Sequence, residues 1–207
     1  MLVVGLSNPG PDFDGTRHNV GGDTVRVLSR RWGSGRLRPE KGQRAVLEEV
    51  RIGNARVALA VPNTYMNESG AAVRPLMRRF GIDDASSLVV LHDELDLPPG
   101  RIRVKLGGGL AGHKGLQSIR DHLHTVDFVR VRIGIGKPPG RQSGADHVLR
   151  RPGKAERELL EGAVETAADA VEIIVTEGVG VAMNRCNGEC RGRPEEAEDG
   201  PRTRTTG

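Results

Sequence analysis

The stretch that decides the fold is LVVGLSNPGPDFDGTRHNVG, residues 2–21. It begins with the short apolar run Leu2–Leu6 and then breaks into Ser-Asn-Pro-Gly, the pattern of a buried strand that ends in a turn. After a polar loop, residues recur at helical spacing; they are Val20, Thr24, Val25, Leu28 and Trp32. The stretch therefore predicts a strand, a polar loop and a helix in that order.

The rest of the chain repeats this alternation of strands and helices. Strand patterns cover Ala45–Ile52 and Ala55–Val61, which Gly53-Asn54 joins as a hairpin, and then Ser87–Leu91, Arg101–Leu106 and Phe128–Ile135. Helical patterns follow Ser69, run from about His113 to His122, and end with Ala155–Glu177. This alternation predicts an α/β fold, with a single domain at residues 1–187 and a twisted mixed β-sheet that carries helices on its faces. Residues 188–207 are rich in Gly, Pro, Arg, Glu and Thr and are predicted to form a disordered tail.

Composition narrows the class of protein. Aromatic residues make up only 2% of the chain, which argues against a surface that stacks bases on several exposed rings. The formal net charge of +4 and the pI near 9.5 suit a polyanionic partner. The chain opens on MLVVGL without the features of a signal peptide, and no apolar run approaches the length of a membrane span. We therefore expect a cytoplasmic protein.

Polar side chains with hydrolytic chemistry stand after three of the predicted strands. Asn8 and His18 follow the first strand, Asn63 and Asn67 follow the hairpin, and Asp93 follows the next strand along the chain. Loops at the strand ends of an open α/β sheet are the usual place for a site. Gathered there, the imidazole would take a proton from water, the carboxylate would orient the ring, and amide N–H groups would stabilise an oxyanion. The separation along the sequence does not show that these groups meet.

Two motifs that suggest other enzymes lack the expected context. Ser7 does not have the glycine spacing of a nucleophile elbow. The glycines of Gly107–Gly112 spell G-x-G-x-x-G, and Asp127 stands at about the offset of the acidic residue in a dinucleotide site. Asp127 opens the next predicted strand instead of closing it. We therefore predict neither a serine nucleophile nor a dinucleotide site.

Metal binding is also not predicted. The acidic segment His92-Asp93-Glu94, together with Asp96, has no matching His/Asp set elsewhere in the sequence. We therefore interpret these carboxylates as solvated groups at the end of a strand, of which only Asp93 is functional. Cys186 and Cys190 lack a second Cys/His pair at ligand spacing and are interpreted as reduced thiols. Three further histidines are predicted to lie at the surface: His122, His124 and His147.

Four blocks of the chain resemble the successive motifs of the bacterial peptidyl-tRNA hydrolases. They are LVVGLSNPGPDFDGTRHNVG, PNTYMNESG, VLHDELDLPPGRIRVKLGGGLAGHKGLQSI and FVRVRIGIGKPPGR. They stand in the family's order and at its spacing, and the similarity runs from Leu2 to about Asn187. The resemblance implies hydrolysis of the ester that joins a peptide to the 3′ end of tRNA. It also implies an enzyme without metal or organic cofactor that acts as a monomer.

The resemblance implies a role for each matching position. In the catalytic dyad, His18 matches the general base and Asp93 the carboxylate that orients it. Asn8 and Asn67 match the carboxamides that hold the peptide and ester end of the substrate. The remaining matches are Tyr65 and Met66 in the pocket for the terminal nucleotide and peptide, His113 at the rim of the site, and Lys105 with Arg132 as the pair that grips the 5′ phosphate of tRNA. Such a clamp would be sensitive to salt and largely blind to base sequence.

Three positions depart from the family's usual pattern. Lys114 stands at a substrate-binding position where the family has Asn, so it keeps a donor but loses the acceptor and adds a charge. Pointing inward, Lys114 would weaken His18 as a base; pointing outward, it would bind a backbone phosphate. Ser7 replaces the usual Gly, and Gly22 replaces a bulky apolar residue, which is expected to loosen the packing of the first helix.

Three functions remain in competition. The first is an esterase that recycles tRNA from stalled or aborted translation. The second is a catalytically weak or inactive RNA-binding relative of the same fold, as the related plant organelle splicing factors are, and Lys114 favours it slightly. The third is a peptidase or small-ester hydrolase on a similar fold, against which the Lys105/Arg132 pair argues. The complete set of His18, Asp93, Asn8 and Asn67 favours the first.

Overall fold

A mixed sheet of seven strands forms the centre of the computed structural model, which describes residues 1–140 and 142–188. The strands are β1 (Leu2–Gly5), β2 (Arg38–Pro39), β3 (Ala45–Ile52), β4 (Ala55–Pro62), β5 (Leu88–Glu94), β6 (Ile102–Leu106) and β7 (Val129–Gly134). Their order across the sheet is β2-β3-β4-β1-β5-β7-β6. The four central strands run parallel, while β2, β3 and β6 pair antiparallel at the two edges. This confirms the predicted α/β fold with a mixed sheet.

Helices cover both faces of the sheet. They are α1 (Val20–Trp32), α2 (Ser69–Arg79), α3 (Lys114–Leu123), α4 (Gly144–Val148), α5 (Lys154–Glu177) and α6 (Val179–Asn187). Helices α1, α5 and α6 share one apolar core with Val3, whereas α2 and α3 share the other with Val4. Neighbouring residues of β1 enter different cores because successive side chains of a strand point to opposite faces. Among the described residues, no helix is long and apolar enough to cross a membrane.

The start of α1 packs directly on the backbone of the sheet. The N–H of Leu6 donates to the carbonyl of Leu91 at 3.0 Å, and the N–H of Gly22 donates to the carbonyl of Leu6 at 3.1 Å. A Cβ atom at Gly21 would overlap the Leu91 carbonyl, so this approach requires glycine. The turn Arg17–Asn19, which precedes α1, consequently lies at the carboxyl end of β5.

The expected loosening of α1 at Gly22 is not found, because Ser7 fills the space. Ser7 is buried, and a Cβ atom at Gly22 would lie only 3.0 Å from both the Cβ and the Oγ of Ser7. That distance is shorter than an ordinary van der Waals contact. The side chain of Ser7 therefore occupies the room beside Gly22.

Several boundaries differ from those predicted. Strand β5 does not stop at His92 but continues to Glu94, because β7 pairs with it as far as Glu94↔Gly134. The last predicted helix is followed by a further one, α6, after Gly178 turns the chain at a φ of 94°. The predicted tail lies outside the described residues apart from Gly188, as does Cys190.

The prediction of three surface histidines holds for only one of them. His147 is buried, with its Nε2 3.4 Å from the carbonyl oxygen of Ile135. His122 is half-buried and its Nδ1 lies 2.8 Å from the carbonyl oxygen of Ser118, whereas His124 is exposed. In both His122 and His147 a ring nitrogen lies at hydrogen-bond distance from a backbone carbonyl oxygen. Such a contact produces no hydrophobic periodicity, so the sequence does not reveal that these side chains are buried or half-buried.

Candidate active site

His18 and Asp93 meet at the carboxyl end of β5. The Nδ1 of His18 lies 2.7 Å from the Oδ1 of Asp93, although 75 positions separate the two residues. The Asp93 side chain is 3% exposed and that of His18 is 12% exposed. Because β1 and β5 are neighbouring parallel strands, the loop after β1 delivers His18 to the edge where β5 ends. The structure thus brings together the two residues of the predicted dyad.

The turn that carries His18 is fastened to a distant helix. Arg17 donates from Nε and Nη2 to the two carboxylate oxygens of Glu156 on α5, at 2.6 and 2.5 Å. Its Nη1 also donates to the carbonyl of Arg150 at 3.0 Å. A bidentate pair of this kind fixes direction as well as distance. Arg17 was not among the site residues predicted from the sequence, and only its position next to His18 could have pointed to it.

Two imidazoles together lower the pKa of Asp93 against the effect of burial. Burial by itself raises the pKa of Asp93, but the charges and hydrogen bonds of His18 and His113 outweigh burial and hold this pKa well below its usual range. The Nε2 of His113 lies 3.0 Å from the same Oδ1 that contacts His18. Asp93 is therefore an ionised carboxylate at neutral pH, placed between two ring nitrogens.

Asn8 is held so that one end of its carboxamide is already occupied. Its Oδ1 accepts from the N–H of Met66 at 2.8 Å. Its backbone N–H donates to the Oδ1 of Asn19 at 2.8 Å, and the Nδ2 of Asn19 donates back to the Asn8 carbonyl at 3.0 Å. With the oxygen engaged, the Nδ2 group of Asn8 is the part of this carboxamide left for a ligand. Asn19, which locks this loop, is a second residue that sequence reasoning missed.

A cavity of about 980 Å³ opens over the dyad. Six of the predicted site residues lie in its wall besides His18 and Asp93: Asn8, Tyr65, Met66, Asn67, His113 and Lys114. The Tyr65 ring is 58% exposed and packs edge-on against Phe13, with 6.3 Å between ring centroids. The rest of the wall is largely apolar and includes Leu95, Pro138, Ala145, Val148 and Leu149. An apolar channel beside a few polar groups is the usual build of a site for an organic substrate.

Lys105 and Arg132 lie outside the wall of this cavity, on a basic face of the sheet. Strands β6 and β7 pair Lys105 with Arg130 and Arg103 with Arg132, so four cations share one face, as the alternation in both strands predicted. Arg132 donates from Nε to Glu94 at 2.9 Å, and Glu94 itself lines the cavity. The basic face and the cavity are therefore neighbours that share one carboxylate.

Arg130 is buried beneath the glycine segment that leads from β6 to α3. Its guanidinium donates to the carbonyl of Gly109 at 2.8 Å and also to that of Gly107. Lys105 lies against the same segment, since a Cβ atom at Gly108 would be 2.8 Å from its Nζ. Charged side chains that alternate along a strand are usually exposed, so the burial of Arg130 was not foreseen.

Two other arrangements considered from the sequence have a different geometry in the described residues. The glycine segment follows β6, which pairs antiparallel to β7, whereas a dinucleotide loop follows a parallel strand. Glu94 is buried and bound to Arg132, so it is not the solvated carboxylate that the sequence predicted. The Nδ1 of His92 lies 2.7 Å from the carbonyl oxygen of Asp93. Neither Glu94 nor His92 therefore points its ligand atoms at a common centre with the Asp93 carboxylate.

A mixed α/β sheet with an imidazole, an ionised carboxylate and carboxamides around one cavity defines a class of protein: hydrolytic enzymes that activate water. Residues 2–195 match the family model described as peptidyl-tRNA hydrolase. The peptidyl-tRNA hydrolase of Cutibacterium acnes is 50% identical over 198 residues, which cover 90% of this chain and 97% of that protein. The one from Rhodococcus erythropolis is 48% identical over 184 residues, covering 89% and 96%. The crystal structure of peptidyl-tRNA hydrolase from Acinetobacter baumannii superposes with a TM-score of 0.84 at 38% identity, covering 90% and 94%. The chain belongs to the peptidyl-tRNA hydrolase family.

Proposed function

We propose that this enzyme hydrolyses the ester between a peptide and the 3′ end of tRNA, and so recycles tRNA from stalled or aborted translation. The observation that carries the proposal is the 2.7 Å contact of His18 with Asp93 in the wall of a cavity that also holds Asn8 and Asn67. Membership of the family supports the same substrate. We further propose a cytoplasmic monomer that needs no cofactor.

In the proposed mechanism, His18 is the general base. Its Nδ1–H donates to Asp93, which leaves Nε2 to take a proton from a water molecule as the water attacks the ester carbonyl. The imidazolium formed at His18 is stabilised by the Asp93 carboxylate. When the tetrahedral intermediate collapses, the 3′ oxygen of the ribose leaves with the proton from His18, so the base is restored and one water has been consumed.

The carboxamides supply the oxyanion stabilisation in this mechanism. The Nδ2 group of Asn8 is available because its Oδ1 already accepts from Met66, so the amide does not need to reorient during the reaction. Asn67, in the same wall, would hold the peptide end of the substrate. Tyr65 and Met66 would contact the terminal nucleotide and peptide.

The basic face is proposed to bind the 5′ phosphate of tRNA through Lys105 and Arg132. Lys105 is exposed, and the guanidinium of Arg132 uses its Nε for Glu94, which leaves the terminal nitrogens for a phosphate. Lys114 is exposed as well, and within residues 1–140 and 142–188 no hydrogen bond or ion pair joins it to His18 or Asp93. We therefore propose that Lys114, which lies in the wall of the cavity, directs its ammonium away from the dyad and binds a phosphate near the 3′ end.

The test is release of the peptide from an N-blocked aminoacyl-tRNA. His18→Asn is expected to lower kcat by about 10²- to 10⁴-fold, the usual contribution of a general base. His124→Asn is the matched control, because His124 is exposed and its left-handed backbone suits asparagine. Equal release by wild type and His18→Asn would exclude the mechanism.

Two further outcomes separate the alternatives. If the wild type binds tRNA but releases no peptide, the chain is a non-catalytic RNA-binding relative. Lys114→Asn is expected to raise KM and leave kcat unchanged, because the outward ammonium contacts only the nucleic acid. A rise in kcat in this variant would instead mean that Lys114 weakens His18.

A further inference from the structure

Three imidazoles contact Asp93, two at its carboxylate and one at its backbone carbonyl, and the proposed mechanism uses only one of them. The ring of His113 lies 5.1 Å from that of His18 and 5.0 Å from that of His92, measured between centroids. His92 is held by the carbonyl oxygen of Asp93, 2.7 Å from its Nδ1. The role of His113 depends on which of its two nitrogens carries the proton.

Helix α3 decides the position of that proton. His113 is the N-cap residue of α3, and its Nδ1 accepts from the backbone N–H groups of Gly115 at 3.2 Å and Leu116 at 3.4 Å. A ring nitrogen that accepts hydrogen bonds carries no proton, so in the neutral ring the proton is on Nε2. The Nε2–H therefore donates to the Oδ1 of Asp93 at 3.0 Å.

Both nitrogens of His113 are thus engaged by the protein itself. The side chain is 9% exposed, and neither nitrogen remains for a hydrogen bond to substrate. This differs from the role at the rim of the site that the resemblance implies. It also bears on metal binding, since His18, Asp93 and His113 have ligand atoms within 4.8 Å of one another. A metal on Nε2 of His113 would have to displace the proton that the N–H groups of α3 keep there.

We propose that His113 is a positioning residue for the hydrolytic reaction: it gives Asp93 a second hydrogen bond from a ring whose tautomer α3 fixes. The carboxylate is then held between two donors and kept in line with His18. Because the N–H groups of α3 occupy Nδ1 of His113 and His92 is buried away from solvent, the proton taken from water goes to His18. This inference rests on the proposed function for the reaction it serves.

The kinetic test uses His113→Asn in the full chain. Asparagine is a good N-cap and keeps an acceptor for α3, but its short amide replaces the ring that donates to Asp93. We expect kcat to fall about tenfold, the scale of a hydrogen bond to a charged group, while KM stays within about twofold. His124→Asn, at the other end of α3, is the control and is expected to behave as wild type. A rise in KM with kcat retained would overturn the proposal, since it would mean that His113 contacts substrate.

A double substitution tests whether His113 acts through Asp93. In the Asp93→Asn background, His113→Asn is expected to produce no further loss of kcat, because the carboxylate that it positions is already absent. A full additional tenfold loss would mean that His113 contributes by another route and would contradict the inference.

A measurement without substrate separates this inference from the proposed function. Long-range ¹H–¹⁵N correlation spectra of the wild-type protein at pH 7.5, assigned by comparison with His113→Asn, report the tautomer of His113. We expect the Nε2–H form. An Nδ1–H signal would overturn the inference whatever the activity, whereas an Nε2–H signal with no peptide release would show that only the proposed function had failed.

Discussion

The buried histidine His92 is expected to make the stability of this protein fall in mild acid. Its side chain is 1% exposed, and its Nε2 has no hydrogen-bond partner among the described residues. Burial, followed by the neighbouring His113, lowers the pKa of His92 well below 6.5. The ring is therefore neutral in the folded state at pH values where the unfolded chain already binds a proton.

The sign and size of the effect follow from this difference. The unfolded state binds more protons below pH 6.5, so the free energy of unfolding is highest above that value and decreases as the pH falls toward the lowered pKa of the folded state. The slope approaches about 1.4 kcal/mol per pH unit, and between pH 7.5 and 5.0 the loss amounts to about 2 kcal/mol. The lowered pKa of Asp93 acts only near and below 3.8, so it does not enter this range.

Urea unfolding at pH 7.5, 6.5, 5.5 and 5.0 measures the effect. Wild type and the control His124→Asn are expected to lose about 2 kcal/mol more than His92→Leu over this range, because leucine has no proton to bind in the unfolded state. The same pH dependence in wild type and in His92→Leu would refute the argument, since the loss of stability would then come from other groups.

Three further predictions concern packing, the sheet edge and the basic face. Gly22→Ala is expected to be better tolerated in a Ser7→Gly background, with a coupling of about 1 kcal/mol in the free energy of unfolding; additive effects would show that the two positions do not share space. Asn187→Leu is expected to destabilise the protein by about 1–3 kcal/mol, because the Asn187 amide bonds both the N–H and the carbonyl of Val104 on the edge strand β6 at 2.8 Å; thermal melting measures this, and an unchanged Tm would contradict it. Lys105→Gln is expected to raise KM and to reduce the slope of log(kcat/KM) against log salt by about the amount of one phosphate contact. With a substrate that lacks the 5′ phosphate, the substitution should alter neither KM nor this slope.

Much of the fold could be predicted from local pattern alone. The alternation in Phe128–Ile135 placed Arg130 and Arg132 on one face of a strand, and β7 confirms it. The helical spacing after Val20 corresponds to α1. What the pattern could not reveal is what covers each face: Arg130 is buried because the glycine segment folds over it, a contact between residues about 21 positions apart.

The candidate site shows the same division. The sequence supplied the names of the polar residues after each strand, and the resemblance supplied their expected roles. Their meeting, by contrast, depends on the parallel pairing of β1 with β5, which brings His18 within 2.7 Å of a carboxylate 75 positions away. The loop residues that hold them, Arg17 and Asn19, have no periodic signal because their partners are distant or in the backbone.

By itself, the stretch from Leu2 to Gly21 determined the strand–loop–helix unit and the candidate base, because hydrophobic period and turn chemistry are local properties. The resemblance to the family came from the four sequence blocks taken together. Only the tertiary structure decided the protonation pattern around Asp93. The tautomer of His113 is set by the first N–H groups of α3, and the free end of Asn8 is set by the backbone of Met66. Hydrogen-bond direction depends on which groups the fold brings within about 3 Å, and no spacing along the chain encodes that distance.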